Sequence, residues 1–163
     1  MTIQEENMKV AIIFYSRHHG NTKKVLEAIK DLGDVTLFDV LECGDVDLSG
    51  YDIIGFASGI YFNNFHKSIL DYARKNLPEN KKVFLIHTYG CKFKGYTRDM
   101  EKIFQEKFCE LFGIFGCRGY DTFGPLKLIG GLGKGRPNDK DLEKAREFFK
   151  SMVQYREREG ELA

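Results

Sequence analysis

Apolar residues gather along this chain in short runs that alternate with longer stretches of helical spacing. Val10-Ala11-Ile12-Ile13-Phe14-Tyr15 is apolar on both faces, the pattern of a central parallel strand covered by helices on each side. Val25, Ala28, Ile29 and Leu32 then recur at helical spacing and stop at Gly33, and Val35 to Val40 alternates around Leu37 as an edge strand does. Tyr51 to Ala57 reads as a third strand, and Phe65, Ile69, Ala73 and Leu77 mark a helix that ends before Pro78. Lys82 to Thr88 is a fourth strand. Met100, Ile103, Phe104, Phe108 and Leu111 give an apolar face to a helix starting near Thr97. Ile114 to Tyr120, interrupted by Gly116 and Gly119, is a weaker fifth strand, and Leu142, Ala145, Phe149 and Met152 close the chain with a helix. Residues 1–7 and 156–163 are expected to fray.

Strands alternating with helices predict an α/β fold: a doubly wound, five-stranded parallel sheet with right-handed crossovers and helices on both faces. The first, third and fourth strands are the most apolar and belong in the middle, which predicts the order 2-1-3-4-5. At 163 residues the chain forms a single domain over residues 1–163.

Composition narrows the partners. An apolar share of 42% with 30% charge is ordinary for a water-soluble domain, and a net charge of +1 lacks the basic excess of a nucleic-acid binder. No apolar run is long enough to cross a membrane, and the first residues have neither the basic start nor the apolar core of a signal peptide, so a cytoplasmic protein without a membrane partner is expected. Cys43, Cys91, Cys109 and Cys117 form no Cys-x-x-Cys pair and have no histidine at metal-ligand spacing, which points to free thiols and no metal site.

Chemistry concentrates in the loops that leave the carboxyl ends of the three central strands. After the first strand comes Ser16-Arg17-His18-His19-Gly20-Asn21-Thr22, with a hydroxyl at each end, a glycine and the start of a helix. Unpaired N–H groups at a helix start, hydroxyls and the helix dipole together surround an anion such as a phosphate. After the third strand, Ser58-Gly59-Ile60-Tyr61-Phe62 presents two aromatics. Thr88-Tyr89-Gly90-Cys91 follows the fourth strand, with Phe93 and Tyr96 beyond it.

An aromatic-ending first strand, a short hydroxyl-rich loop with Gly-x-Thr and a helix, here Phe14, Tyr15, Ser16 and then Gly20-Asn21-Thr22, resemble the flavodoxins. Where flavodoxin loops commonly carry a third hydroxyl before the glycine, this chain has His18-His19, whose imidazoles can donate to the same oxygens. The resemblance implies a flavodoxin-like fold and bound FMN. The phosphate would lie in the Ser16–Thr22 loop, and the isoalloxazine against Ser58 to Phe62, with Gly59 supplying a flexible peptide that hydrogen-bonds the flavin on reduction. Thr88, Tyr89, Gly90 and Cys91 would pair with its pyrimidine end, and Tyr89, Phe93 or Tyr96 would stack on it. His66 and His87 are explained as helix-start and strand-end residues.

What the resemblance implies about function is electron transfer to a redox partner protein or a small-molecule acceptor, with no catalytic acid or base from the protein. The alternatives are an NAD(P)H-dependent FMN oxidoreductase acting on a quinone or other small acceptor, and a non-redox ligand-binding module. Arg17, Lys23, Lys24, Lys92 and Lys94 beside these loops suggest positive potential, favouring acidic partner surfaces or anionic acceptors. Other chemistries lack their residues: the first loop has neither the acids of a response regulator nor the cysteine of a low-molecular-weight phosphatase. Gly55-Phe56-Ala57-Ser58-Gly59 misses the serine-hydrolase elbow by one position, and Gly133-Lys134 is followed by Gly135 rather than Ser or Thr. The segment Phe123 to Pro137 reads as a long lid or partner surface.

Overall fold

The computed structural model describes residues 7–162, with side chains described through Tyr155. The elements in chain order are β1 (Lys9–Tyr15), α1 (Asn21–Ile29), β2 (Asp34–Asp39), β3 (Ile53–Tyr61), β4 (Asn64–Phe65), α2 (Lys67–Asn76), β5 (Lys82–Tyr89), α3 (Arg98–Glu106), β6 (Glu110–Arg118) and α4 (Asp139–Leu162), with 3-10 turns at Lys30–Leu32 and Gly124–Ile129. Strand order is β2-β1-β3-β5-β6, all parallel, and β4 pairs antiparallel with the end of β3. The five parallel strands therefore follow the expected 2-1-3-4-5 order, and β4 adds only two residues to it.

Alternate side chains of each strand enter two separate cores, which is the consequence of the two-residue repeat. Ala11, Ile13, Ile54, Phe56, Val83 and Leu85 pack with Ile69 and Ala73 of α2 and Met100, Ile103 and Phe104 of α3. On the other face Val10, Ile12, Ile53, Ala57, Phe84 and Ile86 pack with Val25, Leu26 and Ile29 of α1 and Ala145, Phe149 and Met152 of α4. Gly55 lets Phe84 lie flat on the sheet, since a Cβ there would come within 2.3 Å of the Phe84 ring.

The last strand, β6, starts four residues before the expected Ile114 and ends at Arg118 rather than Tyr120, and three further differences from the sequence reading bear on the packing and the site. Helix α3 ends at Glu106, so Phe108 and Leu111 are off it: the Cys109 N–H bonds the Phe104 carbonyl, and Phe108 takes the left-handed conformation at φ 54° with its ring exposed. This is a Schellman-type stop with phenylalanine in the usual glycine place, and it frees Leu111 to pair with Val83 in β6. Helix α4 runs on through Leu162 where fraying was expected, while residues 1–6 lie outside the described residues. Its start is a capping box: Asn138 Oδ1 accepts the Asp141 N–H at 3.1 Å and Asp141 Oδ2 accepts the Asn138 N–H at 2.9 Å. Burial alone would raise the Asp141 pKa, but the Arg136 guanidinium and the Asn138 N–H outweigh it, and the carboxyl titrates below its ordinary value.

The third difference touches the site. Ser58 to Tyr61, expected as loop, is the end of β3, and the chain reverses through Phe62 and Asn63 alone, at φ 49° and 64°. Two successive left-handed residues make the tight hairpin turn whose twist matches the strands. Among the described residues no helix is long and apolar enough to cross a membrane, and no group of three or more His, Cys, Asp or Glu side chains is placed to hold a metal ion.

Candidate functional site

Parallel strands whose connections leave in opposite directions open a crevice at their carboxyl edge, and here that point is between β1 and β3. A cavity of about 280 Å³ lies there. The loop after β1 contributes Ser16, His18, Asn21 and Thr22, the end of β3 and its turn contribute Gly59, Ile60, Tyr61 and Phe62, and β5 contributes Thr88, Tyr89 and Gly90. The connection after β6 adds Tyr120, Asp121 and Phe123. Its lining is mostly apolar with hydroxyls gathered at one end, the usual make-up of a small-molecule or cofactor site.

The hydroxyl end is built by α1. The first intrahelical bond runs from the Lys24 N–H to the Gly20 carbonyl, so the Asn21 and Thr22 N–H groups precede it. Ser16 Oγ accepts the Lys23 N–H at 3.0 Å, which makes Ser16 a remote cap for the helix. Thr22 is 1% exposed and its Oγ1 lies 2.9 Å from Thr88 Oγ1, so the two loops share a hydroxyl pair. Tyr61 borders the same end. Burial first, then the neighbouring Tyr15, raise its hydroxyl pKa, while the His18 N–H facing it works the other way.

The histidine pair does something the sequence reading did not assign to it. His18 Nε2 accepts the Thr122 N–H at 3.2 Å and lies 3.3 Å from Asp121 Oδ1; His19 Nε2 meets Thr122 Oγ1 at 2.8 Å. With Asn21, which bonds both backbone groups of Tyr120, they strap the connection after β6 across the loop after β1. His18 lines the cavity, whereas His19 packs against the Tyr120 ring outside the lining.

Other expected site residues also lie outside the lining. Arg17 turns away to Asp39 at 2.9 Å and Glu42 at 3.8 Å, which takes its charge out of the expected positive field. Gly20 supplies the left-handed turn before α1 at φ 64°. Ser58 is buried, donates to the Gly59 carbonyl at 2.6 Å and accepts the His66 N–H at 3.0 Å. Gly59 does line the cavity, but it is paired with Thr88 in the ladder rather than set in a flexible loop. Cys91 and Phe93 are exposed beyond the cavity. Tyr96 is buried, donates its hydroxyl to the Cys91 carbonyl and accepts the Phe93 N–H at 3.0 Å, so it braces the loop. Of the three candidates for stacking, Tyr89 is the one bordering the cavity.

Tyr120, Asp121 and Phe123 join the site beyond the sequence reading, because long-range contacts bring their segment there: the histidine and asparagine bonds and the Gly119 N–H, which donates to the Tyr89 carbonyl at 2.9 Å. Asp121 Oδ1 accepts the Phe123 N–H at 2.8 Å, and a Cβ on Gly90 would come within 2.4 Å of Asp121 Oδ2. Gly90 is thus needed for the connection to close on β5. His66 caps α2 by accepting the Ser68 N–H and stacks on Tyr15 at 3.6 Å, as a helix-start residue.

With this geometry in hand, the sequence matches the Flavodoxin domain family over residues 12–120. It is also 38% identical over 148 residues, 90% of this chain and 99% of the other, to an uncharacterised protein of Methanocaldococcus jannaschii. The chain belongs to the flavodoxin family. Among solved structures, folds similar to this one include the rubredoxin:oxygen oxidoreductase of Desulfovibrio gigas, with a TM-score of 0.68 and 15% identity over 90% of this chain and 35% of that one. The general stress protein 14 of Treponema denticola, solved in complex with FMN, has a TM-score of 0.61 and 12% identity over 90% of this chain and 98% of that one. The cavity lies at the switch point on the carboxyl edge of the sheet, where open α/β sheets in general bind ligands.

Proposed function

We propose that the chain binds FMN in this cavity and serves as an electron carrier. The observation that carries the reading is the buried Thr22–Thr88 hydroxyl pair beside the Asn21 and Thr22 N–H groups that precede the first intrahelical bond of α1, in a mostly apolar cavity. A phosphate accepts hydrogen bonds from such a cradle without a buried counter-charge. The neighbour solved with FMN has the same fold and supports the choice of flavin.

Bound FMN takes up and passes on electrons; the protein's part is to hold and shield it. Thr22, Ser16 and the α1 N–H groups would hold the phosphate. Tyr89, Phe62 and Phe123 would border the ring system and exclude water, and Gly59 and Gly90 permit backbone to approach it closely. Titration of flavin-free protein with FMN, FAD and riboflavin tests this: FMN binds tightest, and equal binding of riboflavin removes the role of the cradle.

A nicotinamide-dependent reductase is the second reading, favoured by the aromatic mouth formed by Phe62 and Phe123. Steady-state oxidation of NADH or NADPH by the FMN-loaded chain, with a quinone as acceptor, decides between the two. Location in the cytoplasm accords with both.

A further inference from the structure

We infer that the rim of the cavity mouth is a docking face for a partner protein that presents carboxylates around an apolar centre, which rests on the electron-carrier reading. Phe62 stands at the hairpin tip, 90% exposed, and its ring meets Phe123 edge to face at 5.9 Å. Leu128 and Ile129, 89% and 74% exposed, lie on the 3-10 turn Gly124–Ile129 that starts directly after Phe123. Large apolar side chains left together in water mark an interaction site.

Charge decides what covers them. Lys92, Lys94, Lys127 and Lys134 are exposed on the two segments that flank the mouth, and among the described residues none of the four has an ion-pair partner. Residues 90–98 and 122–138 contain no Asp or Glu, although the chain as a whole has 24 acidic residues and a net charge of only +1. Some cations elsewhere are neutralised, as in Lys75–Asp45 and Lys67–Asp71, and lysines such as Lys102 and Lys144 that are not paired among the described residues lie on helices rich in Asp and Glu. Asp121, which lines the cavity, is already engaged: it accepts the Phe123 N–H at 2.8 Å and lies 3.3 Å from His18 Nε2. An apolar centre with a one-sign polar rim has the anatomy of a protein interface steered by opposite charge. A small anionic acceptor needs only the cavity, and a lipid surface would seal its mouth; an acidic protein uses both the lysines and the opening.

The experiment reduces the FMN-loaded chain and mixes it with ferric cytochrome b5, an acidic haem protein, or ferric cytochrome c, a basic one, at low and high ionic strength. Each transfer moves one electron from the reduced flavin to haem iron, which becomes ferrous. The cytochrome b5 rate falls roughly tenfold or more with salt, while the cytochrome c rate does not fall. Substituting Lys92→Glu, Lys94→Glu, Lys127→Glu and Lys134→Glu together reverses this preference, and Lys102→Glu, Lys140→Glu, Lys144→Glu and Lys150→Glu together, on α3 and α4, leave it unchanged. Equal, salt-insensitive rates, or the same effect from both sets of substitutions, overturn the proposal. So does binding to phosphatidylserine vesicles, or self-association lost in the rim variant, without discrimination between the cytochromes. Binding of the flavin-free chain to immobilised cytochrome b5 is read separately: retained docking with no FMN binding sinks the carrier reading and not the docking face.

Discussion

The Asn21 amide donates to the Tyr120 carbonyl at 2.8 Å and its oxygen accepts the Tyr120 N–H at 3.2 Å, so the first residue of α1 clasps the chain where it leaves β6. Gly119 permits the approach, since a Cβ there would come within 2.5 Å of the Asn21 side chain. Asn21→Ala takes the Tyr120 carbonyl's donor away and leaves the Tyr120 N–H with the Arg136 carbonyl alone, 3.1 Å away, and is expected to cost about 1–3 kcal/mol, measured by urea unfolding. Asn21→Asp keeps the acceptor and loses the donor, and should fall between the two. Equal stability of all three proteins would show that the clasp adds nothing.

Thr22 tests the cradle more cleanly than Ser16. Ser16 also caps α1 through the Lys23 N–H, so its loss weakens the helix as well as the site. Thr22→Val keeps the shape and removes only the hydroxyl that meets Thr88. A charge-assisted hydrogen bond to phosphate contributes roughly 1.5–3 kcal/mol, so FMN affinity should fall about tenfold to a hundredfold. Riboflavin affinity should stay as it was; a parallel loss for riboflavin would place the damage in the fold.

His87 makes stability depend on pH. It is 8% exposed on β5 with its Nδ1 unpartnered, and burial lowers its pKa from 6.5 to about 4. Between those values the unfolded chain binds a proton that the folded chain refuses, so stability is lost as pH falls from about 6.5 to about 4 and is complete above that window. The full loss is ~3 kcal/mol. His87→Phe keeps a ring over Gly116 and should flatten the slope of stability across this range in chemical denaturation. An unchanged slope would assign it to other groups.

The four thiols should separate by reactivity. Cys91 is exposed, Cys43 and Cys109 are half-buried with thiol pKa values raised by burial, and Cys117 is buried, with burial and then Asp141 pushing its thiol up to about 12. The thiolate is the nucleophile, so a maleimide should label Cys91 first and Cys117 only on unfolding. Peptide mass mapping over time reads the order, and early labelling at Cys117 would mean that the β6 edge opens readily.

Substituting Gly55 probes the sheet. Gly55→Ala would drive a methyl into the Phe84 ring, and overpacking of this kind costs about 1–3 kcal/mol. Gly55→Ala with Phe84→Leu should recover part of the loss, as expected for directly coupled neighbours. Thermal melts of the single and double variants check it.

The sequence by itself determined the layered fold, the strand order and the place of the cradle. Each is carried by neighbouring residues: apolar runs in β1, β3 and β5, helical spacing in α1 to α4, and a strand, a polar turn and a helix start in direct succession from Val10 to Thr22. Only the tertiary structure decided which side chains meet at the cavity. His18 finds Thr122 and Asn21 finds Tyr120 across 104 and 99 positions of chain, contacts that no local periodicity encodes. The same holds for Tyr96, whose role changes from stacking candidate to brace because its ring is buried against His87 and Tyr89. Hydrophobic patterning specifies which face of an element is buried, whereas the pairing of polar groups depends on how the finished sheet brings loop ends together.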